Sequence, residues 1–324
     1  MGNPNAYDDI HTTYVEGMYL NRENSKYRFR GIAKRFPLAT RHFKTKLKNR
    51  YYWLYGFIIF VAGMGATTDL LFNPASGYQG ESAYVIATFA WAIRLFGILG
   101  ASVAGYSLVT GDQASGRIRL ILKLPHTRWK YVFEKFLGES LALITVTSLA
   151  TITGFAISTI LYGPPPVLPA VEVLIVQEGF LLVWLSIATA TSMAVKTSRR
   201  AIAVPVALYL SAWAWKRVMN SILRGIGEQS IAVYLFAHRL EPSRAYNVTV
   251  NWIFNLPNSD LMAPLLMEHV DPNGSTIIGP GIVSELVGDV PWFLSEWVSA
   301  LVLVLWGTVP MVLAYRRFAT ADIS

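Results

Sequence analysis

"YYWLYGFIIFVAGMGATTDLLF", residues 51–72, is an apolar run long enough to decide the class of fold. A hydrocarbon core about 30 Å thick needs roughly 20 apolar helical residues for each crossing, and the three aromatic residues that open the run suit a membrane–water interface. The rest of the chain agrees, since 53% of its 324 residues are hydrophobic and only 15% are charged, with a mean hydropathy of +0.39. The sequence therefore predicts an all-α integral membrane protein.

Five more apolar runs predict further crossings, at residues 82–109, 136–162, 173–195, 201–219 and 297–315. The prolines of "GPPP", residues 163–166, end the third run because proline cannot continue a helix. The fifth run is short before Lys216 and Arg217 interrupt it. A continuous span with both cations directed outward and a broken or re-entrant segment both remain open there. About six crossings is the simplest count.

Lysine and arginine are concentrated in the segment before the first run and in the connections after the second, fourth and sixth runs. Cytoplasmic loops carry such an excess, so both termini are predicted to be cytoplasmic in a multi-pass plasma-membrane protein, although Lys216 and Arg217 oppose the rule. The predicted parts are a polar extension at 1–25, a basic amphipathic helix on the cytoplasmic leaflet at 26–50, a transmembrane domain at 51–315 and a tail at 316–324. Residues 220–291 are predicted to form an extracytoplasmic segment of short helices. No signal-peptide pattern opens the sequence, so the first span is expected to direct insertion.

Several polar residues within or beside the spans need an interpretation. Arg94 falls inside the second run, and two readings stay open: a charge lining the substrate pathway, or a side chain in the outer third that reaches the interface. Glu172 and Glu178 are interpreted as marking the outer end of the fourth span. The five histidines show no metal-binding spacing and are each interpreted as a lone surface residue. Two N-x-[ST] patterns, at Asn247 and Asn273, fall in the external segment, where chance matches are common.

A basic stretch, "GDQASGRIRLILKLPHTRWKYVFEKFLGE" at residues 111–139, separates the second and third runs. Asp112 is predicted to cap a short amphipathic helix over 112–124 whose apolar face includes Ile118, Ile121 and Leu122. Pro125 ends this helix, and Thr127 is predicted to cap the next one. A helix this short is not stable alone, so its apolar face must be covered by lipid or by protein.

The same stretch resembles the cytoplasmic signature of permease subunits of the ABC-2 family of ATP-binding cassette transporters. The resemblance runs over about 112–138. It consists of the acid Asp112, Ser-Gly at 115–116, Ile-Arg at 118–119, Ile-Leu at 121–122, Pro125, Thr-Arg at 127–128, and then Lys135 and Gly138. The order of a basic amphipathic helix, about six crossings, an outer elaboration and a basic tail is similar too. Gln113 stands where the family often has more charge, and the N-terminal extension and outer segment look long.

The resemblance implies an ABC-2, type V exporter-like permease whose helix at 112–124 couples to a separate cytoplasmic ABC ATPase. The residues it assigns to ATPase coupling are Asp112, Ser115, Gly116, Ile118, Arg119, Ile121, Leu122, Lys123, Pro125 and Arg128. No nucleotide-binding loop is present in the sequence, so no cofactor and no enzyme activity are expected in this chain, and the partner ATPase is expected to bind ATP and Mg. A second permease chain, identical or related, and membrane lipid are the other implied partners. The substrate is not indicated.

Two alternatives remain, an ATPase-independent carrier and a membrane scaffold. A carrier usually places acids or broken helices at mid-membrane, and apart from Arg94 and the fifth run the sequence offers neither. Nucleic acid is not expected as a partner, because the helical spacing of apolar residues between the cations of 26–50 favours a membrane surface.

Overall fold

Helices form nearly all of the regular backbone in the computed structural model, which describes residues 35–72, 82–118, 127–195, 197–227, 230–261 and 282–320. Within these ranges the β-pairing is limited to one isolated bridge between Ser259 and Ile282. The prediction of an all-α protein is confirmed at this level.

The α-helices follow one another in chain order through the described ranges. They are α1 Pro37–Leu47, α2 Arg50–Phe72, α3 Ser82–Ala92, α4 Ile98–Gly105, α5 Thr110–Ala114, α6 Arg128–Tyr162, α7 Val167–Ala194, α8 Ser198–Gly225, α9 Ile231–Arg239, α10 Pro242–Ile253, α11 Val283–Val287 and α12 Glu296–Thr320. A π-helical turn, Ile93–Gly97, joins α3 to α4. Gly163, with a φ of 84°, ends α6 directly before the prolines.

Four helical stretches of the described chain are long and apolar enough to cross a membrane: Tyr84–Ala114, Arg128–Tyr162, Val167–Ala194 and Glu296–Thr320. Two further long helices, α2 with 23 residues and α8 with 28, cover the first and fifth predicted spans. Helix α8 is uninterrupted although Pro205 lies inside it, so the structure has no break in this segment. The crossing of the membrane by α2 and α8, and hence the count of six, stays a prediction.

Helix α7 lies at the centre of the bundle, with α4, α8, α10 and α12 packed around it. Its core positions carry large apolar side chains, including Phe180, Leu181 and Trp184, all at most 1% exposed. Helices α2 and α6 pack beside each other on one flank, and α1 lies along the first part of α6. Small residues allow close approach: a Cβ added at Gly154 would lie 2.0 Å from the Phe89 ring, so the aromatic ring occupies that space.

The segment predicted to lie outside does more than cover the bundle, because α9 and α10 pack into it. Tyr246 of α10 stacks on Phe180 at 4.4 Å between ring centroids and donates a hydrogen bond to the Ala90 carbonyl. The Trp306 indole donates to the Leu240 carbonyl at the α9–α10 junction. The predicted segment also contains the apolar piece 261–270, which lies outside the described residues except for Leu261.

Candidate coupling site and buried charges

Helix α6 begins where the sequence predicted. The Thr127 hydroxyl accepts a hydrogen bond from the Lys130 N–H at 3.2 Å, which satisfies one of the free donors of the first turn. The prediction that Thr127 caps this helix is confirmed. Arg128, from the first turn, donates to the carbonyls of Phe318 and Ala319 at 2.8 and 3.0 Å. A cation there faces the negative end of α12, so Arg128 ties the start of α6 to the end of the last helix.

The prediction that Asp112 is an N-cap is wrong. Helix α5 begins at Thr110 after Val109, with no side-chain cap from within the segment. The Ser192 hydroxyl of α7 instead accepts the N–H groups of Val109 and Thr110, at 2.9 and 3.1 Å. A residue far away in the sequence therefore caps this helix.

Asp112 has a different role, as half of a partly buried ion pair. Its carboxylate accepts hydrogen bonds from the Lys135 ammonium and the Tyr131 hydroxyl, both at 2.8 Å. The same ammonium donates to the Leu108 carbonyl at 2.6 Å. Lys135 therefore fastens the end of the second span and the start of the coupling segment to α6.

A turn at Ser115 and Gly116 interrupts the predicted helix over 112–124. Gly116 has a φ of 68°, which glycine adopts without strain, and the Ser115 hydroxyl donates to the Gly111 carbonyl at 2.9 Å. After the turn, Ile118 is 1% exposed and packs in an apolar cluster with Val109, Tyr131, Val132, Ala190, Met193, Ala314 and Phe318. Arg119, Ile121, Leu122, Lys123 and Pro125 lie outside the described residues.

Two glutamates of α6 hold α1 in place. The Glu134 carboxylate, in a residue 1% exposed, accepts the N–H groups of Leu38 and Ala39 at 2.8 and 3.2 Å. It therefore supplies the cap that α1 lacks in its own sequence, at the positive end of that helix. The Glu139 side chain, which is 0% exposed, accepts from His42 at 2.5 Å and from Lys46 at 3.0 Å.

Gly138 lets the two helices approach so closely. A Cβ at this position would lie 2.6 Å from the Ala39 carbonyl oxygen, so any side chain would push α1 away. Helix α1 is therefore docked on α6 and does not rest on lipid alone. The sequence analysis assigned no role to Glu134 or Glu139. Two acids in an otherwise apolar helix, with a basic amphipathic helix earlier in the chain, could have indicated that the two helices pair.

The histidine interpretation is wrong for two of the five residues. His42 bonds to the buried Glu139, and His238 is 6% exposed with its ring Nε2 3.2 Å from the Asn220 side-chain oxygen. Burial lowers the pKa of the His238 imidazole, and the nearby Arg244 guanidinium lowers the pKa further. Both residues hold helices together.

Arg94 lies in the π-helical turn, midway between Ser82 and Gly105, and is half-buried. Its electrostatic neighbours are Glu241 and Arg244 of the α9–α10 region together with Tyr209 and Tyr246. The structure therefore brings Arg94 to the junction of the second span, α8 and the outer segment.

Glu178 does not mark the end of the fourth span. It lies near the middle of α7 and is 8% exposed. The Thr147 and Ser148 hydroxyls bond its carboxylate at 2.8–2.9 Å. The bundle therefore contains a buried acid that local sequence did not reveal.

Long apolar helices around a buried core, with a polar assembly at one end, define a multi-pass helical membrane protein. Residues 36–323 match the ABC-2 family transporter proteins, so the chain belongs to that family. None of the curated proteins matches the chain. As a member, it is a permease component of an ATP-binding cassette transporter rather than a catalytic subunit, and membership implies an ATPase partner.

Proposed function

We propose that this protein is the membrane subunit of an exporter and that segment 112–124 receives force from a separate cytoplasmic ATPase, which binds ATP and Mg. Two such chains, identical or related, line one pathway across the plasma membrane. Each chain crosses six times, with both termini in the cytoplasm and lipid around the spans.

One observation carries the proposal: the start of the coupling segment is anchored to two long helices at once. Asp112 pairs with Lys135 of α6, and Ser192 of α7 caps Thr110. Ile118 is buried against both helices. A push that reaches Ile118 is therefore passed directly to α6 and α7.

The arrangement of basic segments supports the predicted orientation. Helix α1 docks on α6, Arg128 bonds the end of α12, and Ser198 at the start of α8 lies 3.5 Å from Thr110. These are the segments that the lysine and arginine distribution assigns to the cytoplasm, and they meet at one end of the bundle.

The membrane-carrier alternative gains one supporting observation, the buried Glu178, because carriers use acids at mid-membrane. This carboxylate is held by the hydroxyls of Thr147 and Ser148, which is also how a polar contact between two helices is built. Family membership favours the ATPase-driven function over both the carrier and the scaffold.

The test is co-purification of the ATPase with a charge-reversed coupling segment. Arg119→Glu with Lys123→Glu is expected to release the ATPase while membrane insertion is unchanged. The matched control, Arg41→Glu with Lys44→Glu, reverses the same charge on the exposed face of α1 and is expected to retain the ATPase. Retention by the first variant, or equal loss from both, contradicts the proposed docking site.

A further inference from the structure

Within the described part of the chain, the charge of Arg94 has no bonded partner. Among the described residues its guanidinium makes no hydrogen bond or ion pair, and its Nε is buried. A guanidinium has five N–H donors in a fixed planar fork. A charge within a membrane-spanning helix is costly unless it is compensated, so an acceptor from another source is expected.

The nearby acids are already engaged. The Glu241 carboxylate caps α10 by accepting the N–H groups of Ser243 and Arg244, both at 2.9 Å. The Arg244 guanidinium pairs with Asp260 at 2.5 Å. Glu241 therefore attracts Arg94 through space but offers it no hydrogen bond in the described chain, while Arg244 adds positive potential to the same region.

The backbone at Arg94 is also unusual. The π-helical turn Ile93–Gly97 interrupts an otherwise α-helical span, and π-turns inside α-helices occur frequently at functional sites. Tyr209 of α8 is another electrostatic neighbour of Arg94 and is partly exposed. The hydroxyl of Tyr246 is already used on the Ala90 carbonyl. The Tyr209 hydroxyl bonds to none of the described residues, so we take it as the second available donor near Arg94.

We propose that Arg94 and Tyr209 bind a phosphate group of the molecule that the transporter moves. The planar fork of arginine matches the two oxygens of such a group. This inference rests on the proposed transport function and names its substrate class. The anion can belong to a phospholipid headgroup or to a soluble molecule, and the chemistry of recognition is the same for both.

The test uses the purified full-length chain in detergent without an ATPase. Three probes are titrated separately and their dissociation constants measured: dioleoylphosphatidylglycerol, dioleoylglycerol with the same acyl chains but no phosphate, and inorganic phosphate. Loss of a charge-assisted hydrogen bond weakens binding about ten- to a hundredfold, which is the expected effect of Arg94→Gln on an anionic probe. Tyr209→Phe is expected to weaken it less. Arg224→Gln, which alters an exposed arginine of α8, is the control and is expected to change nothing.

The outcomes separate the sources. Arg94-dependent binding of phosphatidylglycerol alone assigns a lipid headgroup, and Arg94-dependent binding of inorganic phosphate assigns a soluble anion. The proposal is overturned if both anionic probes fail to bind or if Arg94→Gln leaves their binding unchanged. Equal binding of dioleoylglycerol and phosphatidylglycerol overturns it as well. If Arg94→Gln does not fold, Arg94→Lys replaces it, because lysine keeps the charge without the planar fork. This variant is expected to bind the anion more weakly than the wild type. Equal affinity would overturn the proposal. Because no ATPase is present, failure here is independent of failure at the coupling segment.

Discussion

The ion pair between Asp112 and Lys135 is predicted to be the main fastening between the coupling segment and α6. Replacing Lys135 by Met removes the ammonium and leaves the Leu108 carbonyl and the Asp112 carboxylate each without one donor. Removing one partner of a buried pair costs about 3–5 kcal/mol. The two side chains keep 10% and 14% exposure, so the lower end, about 3 kcal/mol, is expected.

A double-mutant cycle measures the pair itself. Lys135→Met, Asp112→Asn and the double variant are compared by their free energy of unfolding in mixed micelles with increasing SDS. The double variant is expected to be less destabilised than the sum of the single variants, by about 2 kcal/mol. Additive effects would show that the two side chains do not act together and would refute the reasoning.

Lys130→Met is the matched control on the same helix. Its ammonium lies 3.8 Å from Glu134 and the side chain is 43% exposed, and exposed pairs of this kind contribute about 1 kcal/mol or less. A loss as large as that of Lys135→Met would mean that any lysine in this part of α6 matters equally. The ATPase is expected to be retained by the control and lost, at least partly, by Lys135→Met.

Two further predictions concern helix docking and pH. Gly138→Ala places a Cβ 2.6 Å from the Ala39 carbonyl oxygen and is expected to lower the free energy of unfolding by about 1–3 kcal/mol. The control is Gly179→Ala, where a Cβ meets nothing within 4 Å. Equal effects of the two variants in the same SDS titration would contradict the close α1–α6 contact. Because burial lowers the pKa of His238 below its ordinary value of 6.5, the unfolded state binds the proton more readily, so stability is full above about pH 6.5 and falls as the pH drops below it. Unfolding titrations at pH 5 and pH 8 should show this fall in the wild type and a smaller one in His238→Asn; equal slopes would show that His238 does not contribute.

Local sequence was sufficient for the long helices and for some of their ends. Thr127 caps α6 because its hydroxyl accepts the free N–H of Lys130, only three residues away, and needs no distant partner. Tyr162 ends the same helix because Gly163 and three prolines follow it. Such features depend on residues within one turn of each other, so the sequence displays them directly.

The interpretation of Glu178 failed because local sequence shows neither where its helix begins nor which side chains face it. Its position in the sequence is near the start of an apolar run, and an acid there is typical of a span end. Helix α7 begins earlier, at Val167, and the hydroxyls that bond the carboxylate belong to α6. The N-x-[ST] match at Asn247 carried no prediction, and in the structure this side chain is buried and donates to the Asp260 carbonyl at 3.0 Å.

What the sequence by itself determined is the membrane class, the helical periodicity and the family signature, all of which follow from the composition and spacing of neighbouring residues. The tertiary structure decided the partners of the signature residues, Lys135 for Asp112 and the Ala39 backbone for Gly138, and it made Ser192 the cap of Thr110 just before them. These contacts join helices far apart in the chain. Polar groups buried between helices must find partners because water is excluded, but only the packing of the helices determines which distant residue each group meets.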